Sequence, residues 1–193
     1  MFWNESGNGD LSNSQSAPNP FTLGSGANSV VGTVDGTTDS QDWIALTIPS
    51  GFQLSSIILQ TYSSADSQGF TGFQSGSSFV GNPETTASAY SGFTHFGTGA
   101  QNGALAPVNL VGADLLPIMA DPANAPGAQG FTPPLGAGTY SFLIQQLGGS
   151  TSYQFDYGVT PVPEPATEGV IAGIVCAGFF LKRRFFGKQA LAH

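Results

Sequence analysis

Residues 139–159, TYSFLIQQLGGSTSYQFDYGV, decide how this chain is to be read. In a strand, successive side chains point to opposite faces, so residues two apart share one. The first half puts Tyr140, Phe142 and Ile144 on one face. The second puts Tyr153, Phe155, Tyr157 and Val159 on one face and Gln154, Asp156 and Gly158 on the other. Two alternating runs joined through Gly148-Gly149 predict a β-hairpin with one buried and one wet face.

The same period recurs upstream. Residues 29–34 (SVVGTV) and 42–48 (DWIALTI) read as strands around the acidic loop DGTTDSQ, where Asp35-Gly36 is a turn signal. In the second of these, Ile44, Leu46 and Ile48 share a face opposite Trp43 and Ala45. Residues 54–62 (LSSIILQTY) carry Ile57-Ile58-Leu59, apolar on both faces, which predicts a central strand. Weaker strands are expected near 70–74, 77–80 and 90–96. Pro107, Pro117, Pro122 and Pro126 interrupt 100–137, which reads as a long surface loop with one helical turn around 112–116. Frequent turns without αβ alternation predict an all-β antiparallel β-sandwich, jelly-roll-like, over residues 1–160.

Composition agrees. With 27 glycines and 13 prolines long helices are disfavoured, while 40% hydrophobic and 11% aromatic residues supply a core. All 4 Lys and Arg lie within 182–188, and all 12 acidic residues precede them. Surface ion pairs within the body are therefore nearly impossible, and burial and hydrogen bonding must hold it together. A phosphate backbone would be repelled by so acidic a body, which excludes nucleic acid as a partner. The single cysteine, Cys176, lies in an apolar run, so no intrachain disulfide is possible; inert packing and lipid attachment are the two readings of its thiol.

The basic residues stand behind an apolar segment. TPVPEP at 160–165 cannot continue a sheet, because proline removes ladder donors, and 161–168 reads as a stiff Pro-rich linker. Residues 169–181 carry no charge and predict a single short C-terminal apolar helix. As a helix they span about 20 Å, short of the ~30 Å hydrocarbon core. Snorkelling by Lys182, Arg183 and Arg184 extends the reach, so 169–181 is expected to be a transmembrane helix with 182–193 as a basic cytoplasmic tail. The alternative is a C-terminal core helix with a solvated basic end.

Val162-Pro163-Glu164-Pro165-Ala166, an apolar helix and then Lys182-Arg183-Arg184 resemble the PEP-CTERM sorting signal of Gram-negative bacteria. The resemblance implies an exported precursor held in the inner membrane and processed by an exosortase-type membrane protease, then placed at the cell surface or secreted. Proteins of this family are associated with exopolysaccharide and biofilm matrix. It assigns Val162, Pro163, Glu164 and Pro165 as the sorting and processing motif, and Lys182, Arg183 and Arg184 as the cytoplasmic stop. The body, through GNGDLSN, DGTTDSQDW, the P-x-G turn at 49–51 and GTYSF, is similar to bacterial pre-peptidase C-terminal (PPC-like) β-sandwiches. That likeness implies an accessory, non-catalytic module. MFWNESGNGDLSNSQSAPNP lacks the basic and apolar regions of an export signal, so the native product is expected to begin upstream of Met1.

Candidate chemistry is sparse. His95 is the one histidine of the body, and no G-x-S-x-G elbow accompanies it, so it reads as a residue beside aromatics rather than a catalytic base. Asp35, Asp39 and Asp42 crowd one glycine-containing loop and are candidate Ca²⁺ ligands, since calcium takes six to eight hard oxygens. In the competing reading Asp35 makes the turn, Asp39 bonds to local backbone and Asp42 is solvated. The expected role is non-enzymatic, structural or glycan-contacting. Two rivals stand beside it: a small secreted polysaccharide hydrolase using two convergent carboxylates, and a carbohydrate-binding module with Trp43, Phe73 or Phe93 as a stacking platform.

Overall fold

Period-two alternation becomes nine strands, here in a computed structural model that describes residues 1–103 and 106–163. They are β1 (Phe2–Asn4), β2 (Asn19–Thr22), β3 (Gly26–Val34), β4 (Gln41–Ile48), β5 (Phe52–Ser64), β6 (Gln68–Ser75), β7 (Gly92–Gly97), β8 (Gly138–Gln145) and β9 (Thr151–Pro161). The expected apolar helix at 169–181, Glu164 and Pro165 of the motif, and Lys182, Arg183 and Arg184 lie outside the described residues. Among the described residues no helix is long and apolar enough to cross a membrane.

The strands form two sheets, ordered β1-β3-β9-β5 and β2-β4-β8-β6-β7. Pairing is antiparallel except at two edges, where β1 runs parallel to β3 and β2 parallel to β4. The inner faces meet in one apolar core that takes Val30, Val34 and Phe155 from one sheet and Ile44, Leu46, Phe142 and Ile144 from the other. Aromatic rings join across the gap: Phe142 meets Tyr157 at 5.8 Å and Phe96 meets Phe155 at 5.0 Å. Sheet-on-sheet burial of this kind is what two half-apolar faces require.

The hairpin expected at 139–159 does not form. Its inward residues are buried as expected, Tyr140 only partly, but β8 and β9 belong to different sheets and face each other across the core. Alternation tells which side of a strand is buried and is silent on whether the next strand lies beside it or opposite it. The connection is an arch built on Gln146, whose Nε2 donates to the Gln68 carbonyl at 2.8 Å and whose Oε1 accepts from Gly148 N–H at 3.0 Å. Residues 35–40 make a matching arch from β3 to β4. The two arches touch: Gln146 N–H donates to the Ser40 carbonyl at 3.1 Å, and any Cβ at Gly36 would run into the Gly148 carbonyl.

Four further expectations change. β5 is at the edge of its sheet, and its doubly apolar run is explained by chain laid along that edge. Gly112 N–H donates to the Leu59 carbonyl (2.7 Å), Leu115 N–H to that of Ile57 (2.7 Å), and Leu135 N–H to that of Leu54 (3.0 Å). The long loop is therefore no surface excursion, for Leu110, Leu115, Leu116, Met119 and Leu135 are in the core. Its helical turn, α2 (Leu116–Ala120), starts later than expected, with Pro117 in the first turn where a missing N–H costs nothing. Residues 77–80 form no strand. Phe79 instead packs with Trp43, Ala89, Tyr90 and Leu143 in a second cluster, which accounts for the opposite face of β4.

Candidate functional site

Asp42 stands on the inward face of β4, two residues before Ile44 and in phase with Leu46 and Ile48. It is 0% exposed. From the opposite sheet the Tyr153 hydroxyl on β9 donates to Asp42 Oδ2 at 2.5 Å, so this polar contact bridges the two sheets. Asp42 Oδ1 is buried with no hydrogen-bond partner. Burial disfavours the charged form and pushes the Asp42 carboxyl up to about 8, against the opposing pull of the Tyr153 hydrogen bond. Burial also holds the Tyr153 hydroxyl well above the usual tyrosine range.

Two more carboxylates reach this point from the first dozen residues. The short turn α1 (Glu5–Asn8) is capped by the Asn4 side chain, which accepts from Ser6 N–H at 3.0 Å. Glu5 Oε1 accepts from Leu11 N–H (3.1 Å), and Oε2 from Thr33 N–H (2.6 Å) and the Thr33 hydroxyl (3.1 Å), pinning the turn to β3. Burial raises the Glu5 carboxyl above its ordinary range despite those bonds. Asp10 is exposed beside the buried Leu11. One carboxylate oxygen from each of Glu5, Asp10 and Asp42 lies within 4.8 Å of the others. A groove of about 340 Å³, lined in part by Glu5, Asp10, Gly32, Thr33 and Ser152, opens next to them. Gly32 is required here, because a Cβ would collide with the Tyr153 hydroxyl and crowd Glu5.

The three aspartates singled out in the sequence are divided by this arrangement. Asp35 is taken up by its own loop: Oδ1 accepts from Thr37 N–H (2.7 Å), the Thr37 hydroxyl (2.8 Å) and Thr38 N–H (2.7 Å), and Oδ2 from the Thr38 hydroxyl (3.0 Å). Those donors hold its carboxyl below the usual carboxylate range. Asp39 is half-buried at the margin of the cluster, with Oδ1 buried and unpartnered, and burial raises its carboxyl. Asp42 is not solvated, contrary to one of the readings above. The grouping with metal-ligand spacing is Glu5, Asp10 and Asp42. Its strand parity was visible in the sequence; the approach of Glu5 and Asp10 from far along the chain was not.

The glycan platform loses its members. Trp43 and Phe73 are fully buried, and Phe93 is half-buried against Phe70 and Tyr90. Among the described residues Phe2 is the one exposed aromatic ring. Alternation gives a half-buried strand its two faces, and here the second face is covered as well. His95 sits on β7, edge-on to Phe70 at 5.7 Å, with its pKa lowered by burial. The carboxylates converge as a hydrolase would need, yet Asp42 has no surface to reach a glycosidic oxygen and both Glu5 oxygens already accept backbone N–H groups. The arrangement suits a small cation better than a sugar.

No family model matches the chain, and no curated protein does. Among solved structures, the chain is similar to PliG of Salmonella Typhimurium, a periplasmic lysozyme inhibitor of g-type lysozyme. The TM-score is 0.31 with 8% identity, over 74% of this chain and 98% of that one, too slight a likeness to bear on what this chain does.

Proposed function

We propose that the chain is an exported, membrane-sorted protein of the cell surface or extracellular matrix, whose sandwich has a structural or glycan-contacting role and no catalytic one. The observation that carries this reading is the distribution of charge. All 4 basic residues lie within 182–188, behind Val162-Pro163-Glu164-Pro165 and the apolar run 169–181, and the body before them has none. Orientation is set by Lys and Arg near the ends of an apolar segment, and a basic cluster behind it with none in front favours leaving the cluster inside and the preceding domain outside. The strand order, β3-β9-β5 in one sheet and β4-β8-β6-β7 in the other, supports a jelly-roll-like reading of the body. Its last strand ends at Pro161, and Val162 and Pro163, the first two residues of the motif, follow it exposed.

The test is to express the full chain behind an export signal in a host carrying the exosortase and in one lacking it. With the enzyme, a shortened product is expected at the surface or in the medium; without it, or with Glu164→Ala, a full-length form stays in the membrane fraction. The same mass and fraction in both hosts would overturn the sorting reading.

A further inference from the structure

We propose that Glu5, Asp10 and Asp42, with Asp39 at the margin, bind one Ca²⁺ that locks the first dozen residues onto both sheets. Carboxylates alone would not argue for this. The second observation is that Asp42 is completely buried, with Oδ2 engaged by Tyr153 and Oδ1 without any partner. A buried carboxylate oxygen left without a donor is costly, and proteins pair such atoms or give them to a metal. No lysine or arginine precedes residue 182, so the body has no cationic side chain to serve.

The donor set selects the ion. All the ligands are carboxylate oxygens, with no cysteine or histidine among them, which suits a hard cation rather than zinc. Two calcium–oxygen bonds of about 2.4 Å span up to about 4.8 Å, and calcium tolerates irregular shells completed by water. The protein oxygens lie within 4.8 Å of each other, beside an open groove that admits water. The site also joins several elements. Glu5 is tied to β3, Asp42 is on β4, Tyr153 is on β9, and Asp10 lies where the chain passes from β1 toward the bridge between Ser12 and Trp43. This inference is independent of the export reading, since the residues and their burial are the same wherever the protein resides.

The experiment uses the full chain in mild detergent, stripped with EGTA and titrated with CaCl₂ by calorimetry and thermal melting, with MgCl₂ and NaCl as controls for screening. One equivalent of Ca²⁺ is expected to bind, raising the melting temperature by about 5–10 °C at saturation. Asp10→Asn, at an exposed position that cannot perturb the core, should weaken binding at least about tenfold. Asp42→Asn should abolish the Ca²⁺-dependent rise without lowering the melting temperature in EGTA, because the amide keeps the carboxyl's size and still offers an oxygen to the Tyr153 hydroxyl. Asp35→Asn should bind as the parent does. No heat and no shift at 10 mM Ca²⁺, or a shift undiminished in Asp10→Asn and Asp42→Asn, would overturn the proposal.

Discussion

Asp35 and Asp42 stand at the two ends of one arch, and their surroundings are opposite. Asp35 curls back on the loop and collects donors from Thr37 and Thr38. Asp42 faces inward, receives one hydrogen bond from across the core and has a free oxygen with nowhere to turn. The first carboxylate is held below the usual range and the second is raised to about 8. Residue type and sequence proximity therefore say little about the charge a carboxylate carries. The decisive quantity is the number of donors reached before water is excluded, and a strand supplies fewer than a turn because its own N–H groups are committed to the ladder.

The largest effect should come from opening the wall around Asp42. Phe155 is fully buried, packs on Tyr153 and Phe96, and its replacement by Ala is expected to destabilise the fold by about 3–5 kcal/mol in denaturant titration. A cost below about 1 kcal/mol would mean that the two sheets do not enclose Asp42 as described. Gly32→Ala should cost about 1–3 kcal/mol, as an added methyl displaces the Tyr153 hydroxyl and Glu5. Combining it with Tyr153→Phe should recover part of that loss, and strict additivity would contradict the clash.

The sharpest comparison is by pH, in EGTA. Asp42 has an ordinary value of 3.8 and a folded value of about 8. Between the two the folded state retains a proton that the unfolded chain has released, so this group's contribution makes stability fall as pH rises from about 4 to 8. Asp42→Asn should flatten the melting profile in that window. For Asp35 the sign is reversed: its lowered value contributes stability above about 4 that is lost as the medium becomes more acidic. Asp35→Asn should thus lower stability above about pH 4, remove the slope on the acid side where the two proteins converge, and have the smallest effect of the set. Equal responses of the two variants across the whole range would erase the distinction drawn between them.

Much of this could be read from residue patterns. Phe142, Ile144, Phe155 and Tyr157 are inward as their parity requires; Asp42 shares the parity of Ile44, a signal that the reading of it as a loop ligand or a solvated residue passes over. Parity could not show that β8 and β9 lie opposite rather than adjacent, since both arrangements bury the same side chains. Nor could it show that 110–116 and Leu135 line the edge of β5, which depends on contacts between distant parts of the chain. Glu5 and Asp10 sit in a polar stretch with no period at all, and only the fold brings them to Asp42.

The chain laid along β5 has a consequence for how copies of this protein behave in a crowd. Bare sheet edges invite strand pairing between molecules, and many proteins guard them with lysine. This body has none to use. Its four edges are guarded by construction: β1 is 3 residues long, β2 is 4 and contains Pro20, β5 is already bonded to its own loop through Gly112, Leu115 and Leu135, and on β7 the His95 N–H is taken by the Asn102 side chain at 2.7 Å. Aggregation is resisted by leaving a neighbour little backbone to grasp, a device that keeps working in salt strong enough to screen charge.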